Sequence, residues 1–131
     1  MTVVKGLVID TPHIDRILSG QKTWEMRSTQ TKQRGTIALI KKGTGQIFGL
    51  VDLVDSQGPF THDQMIAHQH RHMISNEQLA DPKVVKWNNA WVLENVVKLS
   101  NPIPYKHPFG AVIWVHLDEA TSQAAMRAAG K

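Results

Sequence analysis

Apolar residues fall in short runs along the chain, and the period of each run changes at a glycine, a proline or a polar cluster. Val3 to Asp10 holds Val3, Val4, Leu7, Val8 and Ile9, a buried-strand composition with a bulge predicted at Gly6. Thr11-Pro12 then reads as a helix start, with threonine as N-cap and proline as the first helical residue. Ile14, Ile17 and Leu18 give that helix an i, i+3, i+4 apolar face, and Gly20, free to take the left-handed conformation, closes it. From Thr23 to Ser28 the period becomes two, which puts Thr23, Glu25 and Arg27 on one face of a strand and Trp24 and Met26 on the other. Lys22 sits at the turn, where alternation does not fix its direction.

The remaining runs predict a series of returning strands with short helices between them. Gly35 to Lys41 is apolar at consecutive positions, so both of its faces are expected to be covered; Lys41-Lys42-Gly43-Thr44-Gly45 is a basic hairpin turn, and Gln46 to Val54 returns with a kink at Gly49. After the break at Gly58-Pro59, Thr61 and Gln64 form a capping box that opens a helix burying Met65 and Ile66. Ser75 and Gln78 form a second box, and Asp81-Pro82 ends the short helix that follows it. Lys83 to Asn89 is a connector, and Ala90 to Leu99 a long strand with Trp91, Leu93, Val97 and Leu99 on one face and Glu94 on the other. Three prolines between Pro102 and Pro108 remove ladder donors, so that segment is expected to cross the surface as a stiff strap presenting Tyr105, Lys106 and His107. Ala111 to Leu117 is the last strand and Ala120 to Lys131 a frayed helix. This order, without βαβ regularity, predicts an α+β domain built on an antiparallel or mixed barrel, spanning residues 1–118 with a tail at 119–131.

A length of 131 residues suits one core. The chain has no cysteine, which excludes disulfides and thiolate chemistry and agrees with a cytoplasmic location. Met1 to Gly6 is too short in apolar length for a leader, and no run approaches the roughly 20 apolar residues of a membrane span. Lysine and arginine exceed aspartate and glutamate by 15 to 11, a modest excess that favours an anionic partner.

The densest chemistry lies at Lys22-Thr23-Trp24-Glu25-Met26-Arg27, where an ammonium, a hydroxyl, a carboxylate and a guanidinium share one strand. Together they could hold the edge of a base and a phosphate, or Glu25 and Arg27 could pair on a solvated strand. His68 and His72 stand one helical turn apart, but no third ligand completes a metal pattern, so a solvated helix end is the reading there and no metal or cofactor is expected. Lys41 and Lys42 are candidate phosphate contacts, Tyr105 a candidate stacking ring, and His72 a residue that could reach the site from its insertion.

The segment Leu18-Ser19-Gly20-Gln21-Lys22-Thr23-Trp24-Glu25-Met26-Arg27-Ser28 resembles the signature of the ASCH domain, a branch of the PUA-like superfamily of small β-barrels. Trp91 to Asn95, the proline-rich Asn101 to Pro108, and Gly110 to Val115 resemble that family's closing strands in the same order, so the resemblance covers roughly residues 3–117. It implies a PUA-like pseudo-barrel with a cleft beside the first helix and the Gly-x-Lys-Thr-x-Glu-x-Arg strand, in which RNA or a modified nucleoside is held by Lys22, Thr23, Glu25 and Arg27. Some family members remove the acetyl group of N4-acetylcytidine with a lysine, a threonine and a glutamate. Lys22 matches the lysine; the threonine position, three residues later, holds Glu25, and the glutamate falls in a variable region where His72 and Glu77 are the nearest candidates. Binding is therefore the first reading, with a nucleoside amidohydrolase or a ribonuclease using Lys22 and Glu25 as the alternative.

Overall fold

The computed structural model describes residues 3–131. Met1 and Thr2, which begin the stretch read against a leader, lie outside them. Six strands form one mixed sheet: β1 (Lys5–Ile9), β2 (Trp24–Arg27), β3 (Gly35–Lys41), β4 (Gln46–Gln57), β5 (Asn89–Pro104) and β6 (Trp114–His116), in the order β2-β5-β4-β3-β1-β6. β1 pairs with β3 in parallel and every other pairing is antiparallel. The sheet curls into a half-barrel with short helices around it, the α+β architecture predicted from the sequence.

Alternation along β3 explains how one sheet supports two cores. Ile37 and Leu39 point into a cluster with Ile9, Ile14, Ile17 and Trp91, which α1 (His13–Leu18) covers. Ala38 and Ile40 point the opposite way, into a cluster with Ile47, Leu50, Val115 and Ala125. Both faces are dry, as the uninterrupted apolar run requires. A third cluster joins Trp24 and Met26 of β2 to Met65, Ile74 and Leu79, carried by α2 (His62–Ala67), α3 (Gln69–His72) and α4 (Asn76–Leu79) with the links between them. Met65 is buried there as expected, but Ile66 is exposed.

Several local expectations change. β1 and β3 pair in even register through Gly6, so there is no bulge; a Cβ at this position would meet Ile40 Cδ1, and that side chain would have to move. Gly49 does mark a register shift, and a Cβ on it would stand 2.5 Å from Leu18 Cδ2 and 2.7 Å from Val97 O. Pro12, not Thr11, occupies the N-cap of α1, and no side chain caps that end. Both capping boxes form with reciprocal bonds, whereas Asp81 does more than end α4: its carboxylate caps a further turn, α5 (Pro82–Val85), inside the expected connector.

β5 continues through Pro102 and Pro104, pairing Ile103 with Ile47 and Pro104 with Gln46. The prolines are tolerated because β2 pairs only with Asn89 to Val92, leaving the far half of β5 with one open side. Asn95, at φ 56°, breaks the strand's alternation, so that Val96 packs against the first cluster while Glu94 faces water. The last strand is shorter than predicted. Residues expected to fray instead form α6 (Glu119–Ala128), docked through the small side chains Ser122 and Ala125, with Ser122 Oγ accepting the Val4 N–H at 3.1 Å. Among the described residues no helix is long and apolar enough to cross a membrane.

Candidate functional site

Curling brings β2, at one end of the strand order, against β1 near the other, and Arg27 spans the seam by donating from Nη2 to Val8 O at 3.0 Å. A cavity of about 310 Å³ opens along this seam, with Lys22, Glu25 and Arg27 in its wall beside His13 and Lys42. Met26, Ile74 and Trp87 line it from the β2 side, and Val8, Val112 and Ile113 from the β1 side.

Lys22 reaches this position because of the turn before it. Gly20 adopts φ 85°, the chain doubles back on α1, and the Lys22 N–H donates to Arg16 O at 3.0 Å. The side chain is then driven inward, to 2 % exposure, where Nζ donates to the His72 carbonyl at 2.6 Å. Glu25 Oε1 lies 4.0 Å away, the outer limit of an ion pair. Burial lowers the Lys22 pKa from 10.5 to about 8, against the opposing pull of Glu25 and with help from the Arg16 and Arg27 charges. An ammonium carries three donors, and one is used by His72.

Glu25 is also buried, and it is held by Arg27 rather than by Lys22. Arg27 Nε and Nη2 approach Glu25 Oε2 at 3.0 and 2.8 Å, and the guanidinium lies 5.4 Å from the centroid of the Trp91 ring. Both arginine bonds fall on one carboxylate oxygen, so Oε1 keeps its lone pairs toward the cavity side where Lys22 stands. The pair is thus a partly buried, fixed element, not the solvated strand pair that spacing alone allows.

The other sequence candidates divide. Lys42 lines the cavity. Lys41 is held by Asp15 at 2.9 Å and lies over the Phe48 ring, outside the cavity lining. Thr23 is exposed and outside the lining; its carbonyl accepts the Leu93 N–H, and β2 begins only at Trp24. Tyr105 packs on the second cluster and bonds His107 Nδ1 at 2.7 Å, away from the cavity. His72 is fully buried and contributes its carbonyl, not its ring: Nδ1 accepts the Ile74 N–H at 2.9 Å, so Nε2 carries the proton that meets Met65 O at 2.7 Å. Glu77 is exposed on α4 and does not line the cavity. His68 packs against Trp24, ring centroids 4.7 Å apart and planes tilted by 38°, and no group of three or more metal-ligating side chains occurs among the described residues.

Among the lining residues whose side chains were not read as site candidates from the sequence are His13 and Trp87. His13 enters at the start of α1, with a pKa lowered by burial and then by the Lys22 charge, which keeps the imidazole neutral near neutral pH. Trp87 enters from the turn between α5 and β5. A lone tryptophan in a polar connector is the one signal that pointed to the latter.

Comparison with known proteins bears on the family. The sequence matches the ASCH domain over residues 7–103. No curated protein matches it. Among solved structures, the ASCH protein of Zymomonas mobilis is 14 % identical with a TM-score of 0.67, covering 91 % of this chain and 90 % of that one. A serine-to-alanine mutant of the same protein gives 14 % identity and a TM-score of 0.68, with 94 % of each chain covered. Those likenesses establish the shared half-barrel, and the family match spans most of the sequence, including the Lys22–Arg27 segment and the α1 turn that leads into it: the chain belongs to the ASCH domain family.

Proposed function

We propose that this ASCH domain binds RNA or a modified nucleoside by admitting one unpaired base to the seam cavity beside α1 and β2. The observation that carries the reading is the paired presentation of a buried ammonium and a buried carboxylate, Lys22 Nζ and Glu25 Oε1, 4.0 Å apart in one cavity wall. A base edge offers a ring nitrogen or carbonyl to the ammonium and an exocyclic amine to the carboxylate, and both protein groups are already desolvated, so a correct partner is strongly favoured over water. The cavity, at about 310 Å³, lies at the small end of the roughly 300 to 1,000 Å³ of ligand sites, which suits a nucleoside and excludes a helix of RNA. Lys42 stands where a phosphate or ribose would meet the lining.

A second reading, hydrolysis of an N4-acylated cytidine, is supported by the Lys22 pKa of about 8, low enough for the neutral amine to accept a proton from water in mildly alkaline solution. Glu25, where the family's nucleophilic threonine is expected, would then orient that water. Incubation with a panel of nucleosides, N4-acetylcytidine included, and with single-stranded RNA, followed by mass spectrometry and binding measurements, tests both. Saturable binding without product, abolished in Lys22→Ala, supports the binding reading. Loss of an acyl mass that depends on Lys22 makes the protein an amidohydrolase, and shortened RNA makes it a ribonuclease. Binding undiminished in both Lys22→Ala and Glu25→Ala overturns the site.

A further inference from the structure

We propose that Trp87 is the stacking surface of this cavity, and that an admitted base lies between its indole face and the aliphatic wall formed by Val112 and Ile113. The inference rests on the reading of the seam as a base site and names the residues that would grip the base's faces. The chain has four tryptophans. Trp24 stacks on Phe60 at 5.3 Å with 3° between planes, and Trp91 on Trp114 at 5.7 Å with 12°. Each of those pairs is part of a core cluster or packs against one. Trp87 differs: among the described residues it has no aromatic or cationic partner, its indole N–H makes no hydrogen bond, and it lines the cavity with 36 % of its surface open.

Topology places the two walls on opposite lips of the seam. Trp87 lies two residues before β5, which pairs with β2, whereas Ile113 immediately precedes β6, which pairs with β1. The Val8 N–H donates to Ile113 O at 2.9 Å, fixing the second lip to the strand that Arg27 reaches. Ile113 is 44 % and Val112 75 % exposed, so the apolar lip lacks a cover. A flat, polarisable ring system is the chemistry that fits an open indole facing an aliphatic lip while its edge meets Lys22 and Glu25. This assigns face contacts to Trp87 and the 112–113 lip, and edge contacts to the buried charges.

The test uses fluorescence anisotropy with a labelled single-stranded oligoadenylate and an abasic strand of equal length, on the parent protein and the variants Trp87→Ala, Trp87→Phe and Lys22→Ala. Stacking predicts that Trp87→Ala weakens binding of the oligoadenylate by about tenfold or more, toward the abasic level, leaves the abasic strand unchanged, and is largely rescued in Trp87→Phe. Loss in Lys22→Ala with parent-like binding in Trp87→Ala overturns the stacking role and leaves the base site standing. Equal parent binding of both strands overturns the two together. Loss in Trp87→Ala without loss in Lys22→Ala puts the stack outside the cavity and also overturns the inference.

Discussion

Replacing Lys22 by methionine keeps the side chain's length and removes its charge, so it isolates what burial of the ammonium does to the protein. Lowering the pKa from 10.5 to about 8 opposes folding by about 3 kcal/mol at neutral pH, at about 1.36 kcal/mol per pH unit. The bond to His72 O offsets part of that, since a hydrogen bond from a charged donor contributes about 1.5 to 3 kcal/mol. Lys22→Met is therefore expected to lie within about 2 kcal/mol of the parent near pH 7, although the ligand is lost. The pH dependence is the decisive part. Because the folded pKa lies below the unfolded one, the unfolded chain binds more protons between about pH 8 and 10.5, and the parent gains stability as pH rises through that window. From about pH 7 to about pH 9.5 the parent should gain about 2 kcal/mol relative to Lys22→Met, the titrations common to both proteins cancelling. Urea denaturation at the two pH values reads this as a relative midpoint shift on the order of 1 M. A difference that stays flat, or that falls with pH, refutes a buried lysine of lowered pKa and removes the support for its use as a base.

Acid acts in the opposite part of the range. Burial lowers the pKa of His72, so stability should fall as pH drops below about 6.5, where the unfolded imidazole takes up a proton that the folded one resists; imidazole NMR shifts and denaturation curves check this. His72→Ala should destabilise the fold by about 2 to 4 kcal/mol in thermal or urea melts, since it leaves the Ile74 N–H and Met65 O unpaired in a buried site. Gly49→Ala should lose about 1 to 3 kcal/mol in the same assay, because the new Cβ meets Leu18 Cδ2 and the Val97 carbonyl. Tyr105→Phe, by contrast, should bind RNA and nucleosides like the parent in anisotropy titrations, because the phenol is bonded to His107 outside the cavity lining.

The β2 strand, the two capping boxes, the Lys41–Gly45 hairpin and the two-sided β3 were legible in the sequence because each is decided by neighbours a few residues apart. Alternation misjudged β2 itself: Trp24, Glu25 and Met26 are all buried, since a helical cluster covers one face and the seam the other, and a period of two then no longer separates inside from outside. Thr23 lost its place in the site for the related reason that the strand begins one residue later. Lys22 was found as a candidate, but its burial was not, because its direction depends on the Gly20 turn and on a carbonyl 50 residues away. The same distance hid the role of His72, whose ring is spent on local backbone groups while its carbonyl anchors the lysine. Trp87 and Ile113 meet the motif only through the curl of the sheet, a contact that no local pattern encodes.

The pairing of β1 with β6 also sets the order in which the protein can become competent during synthesis. β1 can align on β3, and β3 on β4, while the chain is still emerging from the ribosome, but Lys5 to Leu7 meet Trp114 to His116 only after more than a hundred further residues have been made. Val112 and Ile113 arrive with that late strand. A nascent chain stalled before them would carry Lys22, Glu25 and Arg27 with one lip of the cavity missing, so on the proposed reading ligand capture would wait for the closing segment.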